Sequence, residues 1–111
     1  MYPNNLQPST ALEMILKESY RVINDGVDEL YLDLIKSSPK DTGQFQKSWD
    51  KDRGYWTWTI TNSMEYGENL ALGRRKVNGK YYGSLQWENG IAPYLQTAEE
   101  NIEEKLDKIR Y

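Results

Sequence analysis

The chain has 111 residues, a net charge of −3 and neither cysteine nor histidine; 38% of its residues are hydrophobic and 28% charged. That is the profile of one ordinary folded domain. It excludes a disulfide framework, thiolate chemistry and every catalytic arrangement built on an imidazole, and it leaves a zinc site only carboxylates to use. No apolar run approaches the roughly 18 residues of a membrane span, and the first residues carry neither the basic region nor the apolar stretch of a signal peptide. The acidic balance argues against a general nucleic-acid binder while leaving room for local basic patches. Nine Tyr, four Trp and one Phe supply the large buried areas that a small core needs.

Residues 1–9 read as a flexible arm, with Pro3 and Pro8 bracketing polar residues. Thr10 to Glu13 has the form of a capping box, a hydroxyl followed three residues later by a carboxylate. From there Leu12, Ile15, Leu16, Val22, Ile23, Val27, Leu30, Leu34 and Ile35 recur at helical spacing. The spacing predicts a helix over 10–36, about 40 Å long at 1.5 Å per residue, stopped by Ser38-Pro39 because a residue before proline avoids the α region. Gly26 within it marks a bend or a close contact. Pro39-Lys40-Asp41-Thr42-Gly43 is a compact turn signal: Asp and Thr side chains bond nearby backbone and glycine accepts positive φ. Pro39, Asp41, Thr42 and Gly43 are therefore read as a structural corner between helix and sheet.

Phe45 and Trp49 belong to a short strand or turn. The run from Tyr55 to Thr61 alternates strictly and is read as a strand, with Trp56, Trp58 and Ile60 facing the core beneath the helices. Asn78-Gly79 predicts a two-residue hairpin turn flanked by strands near 74–77 and 80–88. A second helix follows Pro93, with Leu95, Ala98, Ile102, Leu106 and Ile109 on one stripe. Its acidic first half (Glu99, Glu100, Glu103, Glu104) and basic end (Lys105, Lys108, Arg110) complement the helix dipole. The expected fold is one α+β domain over 10–111: a long N-terminal helix, an antiparallel sheet of three to four strands and a C-terminal helix, both helices on one sheet face.

Few residues offer chemistry. Carboxylate acid–base work needs a buried or perturbed carboxyl. Asp41, Glu65, Glu68 and Glu88, in the sheet region, are the ones to inspect. No catalytic residue, cofactor site or metal site is expected. Arg74, Arg75, Lys76 and Lys80 place four positive charges in seven residues of an acidic chain. They read either as a solvated hairpin tip or as a contact with an acidic partner or with DNA phosphates.

An ordered set of marks over residues 10 to 110 also resembles the tail-completion, or head–tail joining, proteins of tailed bacteriophages. Ser38-Pro39-Lys40-Asp41-Thr42-Gly43 after a long helix, with Ser48 following, is similar to that family's Pro-x-Asp-Thr-Gly corner. Thr61-Asn62 ends a strand, Glu65-Tyr66-Gly67 and Gly73 match later steps, and Pro93-Tyr94-Leu95 with Ala98 is similar to the opening of the family's last helix. Ala71 and Leu72 stand where the family often has a Glu and an aromatic residue, and Thr97 where it often has proline. The resemblance implies a non-enzymatic neck protein of the virion, assembled in the host cytoplasm. Copies would form a ring touching head-completion (connector) proteins and tail-terminator or tail-tube proteins, with transient contact to passing DNA and no membrane. The competing readings are a small aromatic-rich module for carbohydrate or single-stranded nucleic acid, and a small carboxylate hydrolase.

Overall fold

The computed structural model describes residues 8–39 and 43–109. Its spine is α1 (Pro8–Ser37), followed by a single turn of helix α2 (Gln44–Lys47), a hairpin of β1 (Trp49–Gly54) and β2 (Thr57–Asn62), the short helix α3 (Gly67–Leu72), a second hairpin of β3 (Arg75–Val77) and β4 (Lys80–Tyr82), a 3-10 turn (Leu85–Trp87) and α4 (Ala92–Asp107). Helix α1 starts at Pro8, two residues before the expected capping box, so Ser9 already belongs to the helix rather than to an arm. Residues 1–7 of that arm lie outside the described residues. No helix among the described residues is long and apolar enough to cross a membrane.

Helix α1 is flanked on both sides. At about 100° per residue, Tyr20, Asn24, Asp28 and Tyr31 share one side of it, and the first hairpin runs along that side. Arg53 and the Trp58 indole both donate to Asn24 Oδ1 (3.2 and 3.1 Å), Lys51 pairs with Asp28, and the Tyr31 hydroxyl donates to the Trp49 carbonyl at 3.1 Å. Helix α4 runs antiparallel along the opposite side. There Gly26 faces Ile102, and Glu29 meets Lys105 at 3.7 Å. The expected arrangement, both helices on one sheet face, is therefore corrected. The hairpin and α4 pack on α1 from opposite sides.

The single sheet is corrected too: the four strands form two separate two-stranded sheets, β1–β2 and β3–β4. The physical reason lies in the second hairpin. Its strands have three residues each, and Lys76, Val77, Lys80 and Tyr81 are exposed, so it has no apolar face with which to extend the first sheet.

The core sits at the C-terminal end of α1. Leu34, Phe45 and Trp87 are buried together, with Leu30, Trp49, Ile60, Met64, Leu70, Ile91 and Tyr94 packed around them. Aromatic rings do most of the filling: Phe45 meets Trp49 and Trp87 at centroid distances of 5.4 and 5.7 Å, and Trp87 meets Tyr94 at 5.9 Å. The end of α1 lacks a capping glycine, and side chains satisfy its free carbonyls instead. Gln46 donates to the Ile35 carbonyl (3.0 Å), Gln86 to those of Ser37 and Ser38 (3.1 and 3.3 Å), and the Ser38 hydroxyl to that of Leu34. Trp49 Nε1 in turn donates to Ser38 Oγ at 2.7 Å. Trp56 and Trp58, expected as core, instead form a half-buried satellite on Tyr20, with centroids 5.2 and 5.1 Å from its ring.

Gly26 is the close contact between the helices. A Cβ built there would lie 2.3 Å from Ile102 Cγ1. Gly26→Ala should therefore destabilise the fold by about 1–2 kcal/mol, overpacking outweighing the roughly 0.5–1 kcal/mol that alanine adds to a helix. Urea unfolding checks this. Ile102→Ala in the same chain should recover most of the Gly26→Ala penalty, so that the two changes together cost less than their sum.

Candidate functional site

The second hairpin is built as its sequence demands. Val77 pairs with Lys80, so the loop is Asn78-Gly79 alone, with φ of 52° and 79°, the two positive values that a type I′ turn requires. The root of the hairpin is a crossing of three backbones that only glycine permits. Gly73, Gly83 and Gly90 all have positive φ. Cβ atoms would meet Glu88 O at 2.7 Å from Gly73, Gly73 O at 2.5 Å from Gly83, and Ala71 O at 1.9 Å from Gly90. Two backbone hydrogen bonds close the crossing: Arg74 N–H to the Glu88 carbonyl (2.8 Å) and Ile91 N–H to the Ala71 carbonyl (2.9 Å). The chain entering α4 is thereby tied to the hairpin root.

The four basic residues separate into two roles. Arg75 is turned inward. Its guanidinium donates to the carbonyls of Asn69 (3.3 Å) and Gly73 (3.2 Å) and to Asn69 Oδ1 (2.7 Å), which caps the end of α3, and it lies 5.6 Å from the Tyr82 ring. Arg74 and Lys76 stack on the outward Tyr81 ring, 4.8 and 5.4 Å from its centroid. Lys80 stands exposed beside the turn. No ion pair joins Arg74, Lys76 or Lys80 to a carboxylate among the described residues. The outward surface is therefore a basic one on a tyrosine platform.

The corner at the end of α1 is described only in part. Pro39 is buried, and Gly43 has φ 75° immediately before α2. Asp41 and Thr42 lie outside the described residues. Among the inspected carboxylates, Glu65, Glu68 and Glu88 are exposed, and Asp41 is again outside. Glu18 is a carboxylate with a shifted pKa, held below its ordinary value by the hydrogen bond from Arg21; it is half-exposed on α1, opposite the end of α4. No cluster of three or more metal-ligating side chains occurs among the described residues.

Sequence reasoning found the hairpin but missed Tyr81 as its platform and Arg75 as an anchor. Tyr81 was legible in one respect: counting outward from a two-residue Asn-Gly turn pairs it with Lys76. Compared with protein-family models, with curated proteins and with solved structures, the chain gives no match to any of the three.

Gly43→Val should lower stability by about 1–3 kcal/mol, since a β-branched residue resists positive φ. A thermal melt checks it, and an unchanged midpoint would contradict the turn. The basic residues should also divide by role. Arg75→Ala is expected to cost about 1–2 kcal/mol through lost hydrogen bonds, while Lys80→Ala changes stability by less than about 0.5 kcal/mol. Parallel urea titrations of the two variants distinguish them.

Proposed function

We propose that this chain is a non-enzymatic structural protein of the neck of a tailed bacteriophage, completing the tail and joining it to the DNA-filled head as copies arranged in a ring. One observation carries the assembly part of this reading. The chain exposes 8201 Å² of surface, where a compact monomer of this mass exposes roughly 6,300 Å². Its extents are 67 × 22 × 21 Å and its radius of gyration is 18.7 Å, against about 13 Å for a compact domain of this length. Leu12, Leu16, Tyr55, Leu72, Tyr81 and Leu85 are all exposed along it. A rod with so much exposed surface, large apolar side chains among it, is suited to being completed by neighbours. The choice of assembly follows from the resemblance of the Pro39-to-Gly43 corner, Gly73 and Pro93-Tyr94-Leu95 to the tail-completion family.

On this reading the partners are other copies of the chain, head-completion proteins on one side and tail-terminator or tail-tube proteins on the other, within the virion. The test is a nonsense mutation early in the gene of a phage that encodes the chain. Electron microscopy of the lysate should show filled heads and finished tails left unjoined, and mass spectrometry should detect the chain in wild-type virions. Normal yields of joined, infectious particles from the mutant would refute the proposal.

A further inference from the structure

Charge is segregated on this molecule. Helix α4 shows solvent an acidic surface: Glu99, Glu100, Glu103 and Glu104 are all exposed, and neither Glu99 nor Glu103 forms an ion pair among the described residues. The second hairpin shows solvent the opposite sign: Arg74 and Lys76 on the Tyr81 ring, with Lys80 beside the turn. No ion pair connects the two surfaces within one copy. Both are well mounted. The hairpin root is locked to the entry of α4 by Gly73, Gly83 and Gly90, and α4 is held on α1 through Gly26 and Ile102. Two surfaces of opposite charge on one chain that form no ion pair with each other among the described residues are complementary between copies.

We propose that the basic hairpin of one copy docks on the acidic face of α4 of a second copy, a head-to-tail contact between identical chains. Such a contact is heterologous. Each copy retains one unused basic surface and one unused acidic surface, so the contact propagates into a ring or an open chain and does not stop at a dimer. The exposed charges make it weak in isolation and strongly dependent on salt, because at about 0.15 M ionic strength the screening length is only about 8 Å. Tyr81 adds an apolar centre between the cations. The inference deepens the assembly reading and rests on it only for the biological setting, since the contact is testable in solution without any phage.

The experiment is sedimentation velocity on the full chain at 20, 150 and 500 mM NaCl, at protein concentrations up to about 1 mM. The wild type should associate with rising concentration at 20 mM salt and be monomeric at 500 mM. Lys76→Glu with Lys80→Glu should weaken association at least tenfold, and so should Glu99→Lys with Glu103→Lys. Arg74→Glu, Lys76→Glu and Lys80→Glu combined with Glu99→Lys, Glu100→Lys and Glu103→Lys leave the net charge as it was and reverse the sign of both surfaces; this sixfold variant should associate more strongly than either double variant. Circular dichroism confirms that each variant is folded, and Gln replacements at the same positions substitute for any that is not. Association that survives either double variant, a sixfold variant that associates no more strongly than the double variants, or a wild type monomeric at 20 mM salt overturns the proposal. A hairpin that instead binds duplex DNA, with binding lost in Lys76→Glu/Lys80→Glu while the wild type does not self-associate, also overturns it and assigns the surface to nucleic acid. A failed nonsense-mutant phenotype with intact self-association overturns the neck reading alone.

Discussion

The indole of Trp87 is where the fold is held together. It lies fully inside the cluster with Leu34 of α1 and Phe45 of α2, and its ring also meets Trp49 of β1 and Tyr94 of α4. A chain that commits 30 residues to one helix has few left with which to bury it. Enclosing a single helix end from several directions with large aromatic side chains is an economical solution, because each ring removes much apolar area from water for few ordered rotors. The Trp87 indole N–H is buried without a hydrogen-bond partner among the described residues, an unfavourable term that the surrounding apolar contacts must outweigh. The polar end of α1 is closed by the same segment: Gln86, one residue before Trp87, reaches the Ser37 and Ser38 carbonyls.

Once that end is fixed, the rest follows the sides of α1. The first hairpin leaves the core through Trp49 and runs back along the helix on mixed contacts, with Lys51 and Arg53 turned toward α1 to meet Asp28 and Asn24. Helix α4 leaves through Tyr94 and returns on the other side. None of its side chains is fully buried, so α4 depends on its tie at Gly90 and on the shape match at Gly26. The second hairpin takes no part in this packing beyond its root, and its charge is therefore free for other uses.

The parts legible in the sequence were those in which local pattern and tertiary role agree. The α1 stripe, the α4 stripe and the Asn78-Gly79 turn each carry their own geometry in a few residues, and Gly26 announced its contact by standing in a helix where alanine is better. Trp56 misled because strict alternation from Tyr55 to Thr61 hides a turn. Tyr55 and Trp56 form the hairpin connection, and Trp56 takes a φ of 53°, a conformation that bulky residues rarely adopt. Trp87 was missed for the reverse reason. It sits in a 3-10 turn capped by Ser84 and has no periodic neighbours, so its burial is a property of the assembled ends and of no local pattern. Arg75 likewise reads as surface charge until α3 is in place to receive it.

The length of α1 has a mechanical consequence. The first hairpin's turn reaches Tyr20 and the end of α4 reaches Glu18, but the helix continues beyond both, with Leu12, Met14 and Leu16 exposed. The aromatic cluster thus lies at one pole of a 67 Å body, and of the α1 residues from Ala11 to Leu16 toward the other pole Ala11 alone is buried. The foot at Trp87 and the more lightly covered arm of α1 are therefore unequally held. Force or thermal agitation at the arm can fray turns of helix there without disturbing the foot, because local opening draws only on the contacts it breaks. A body graded in this way can keep the orientation of its hairpin and α4 surfaces constant while its distal end adapts to whatever it lies against.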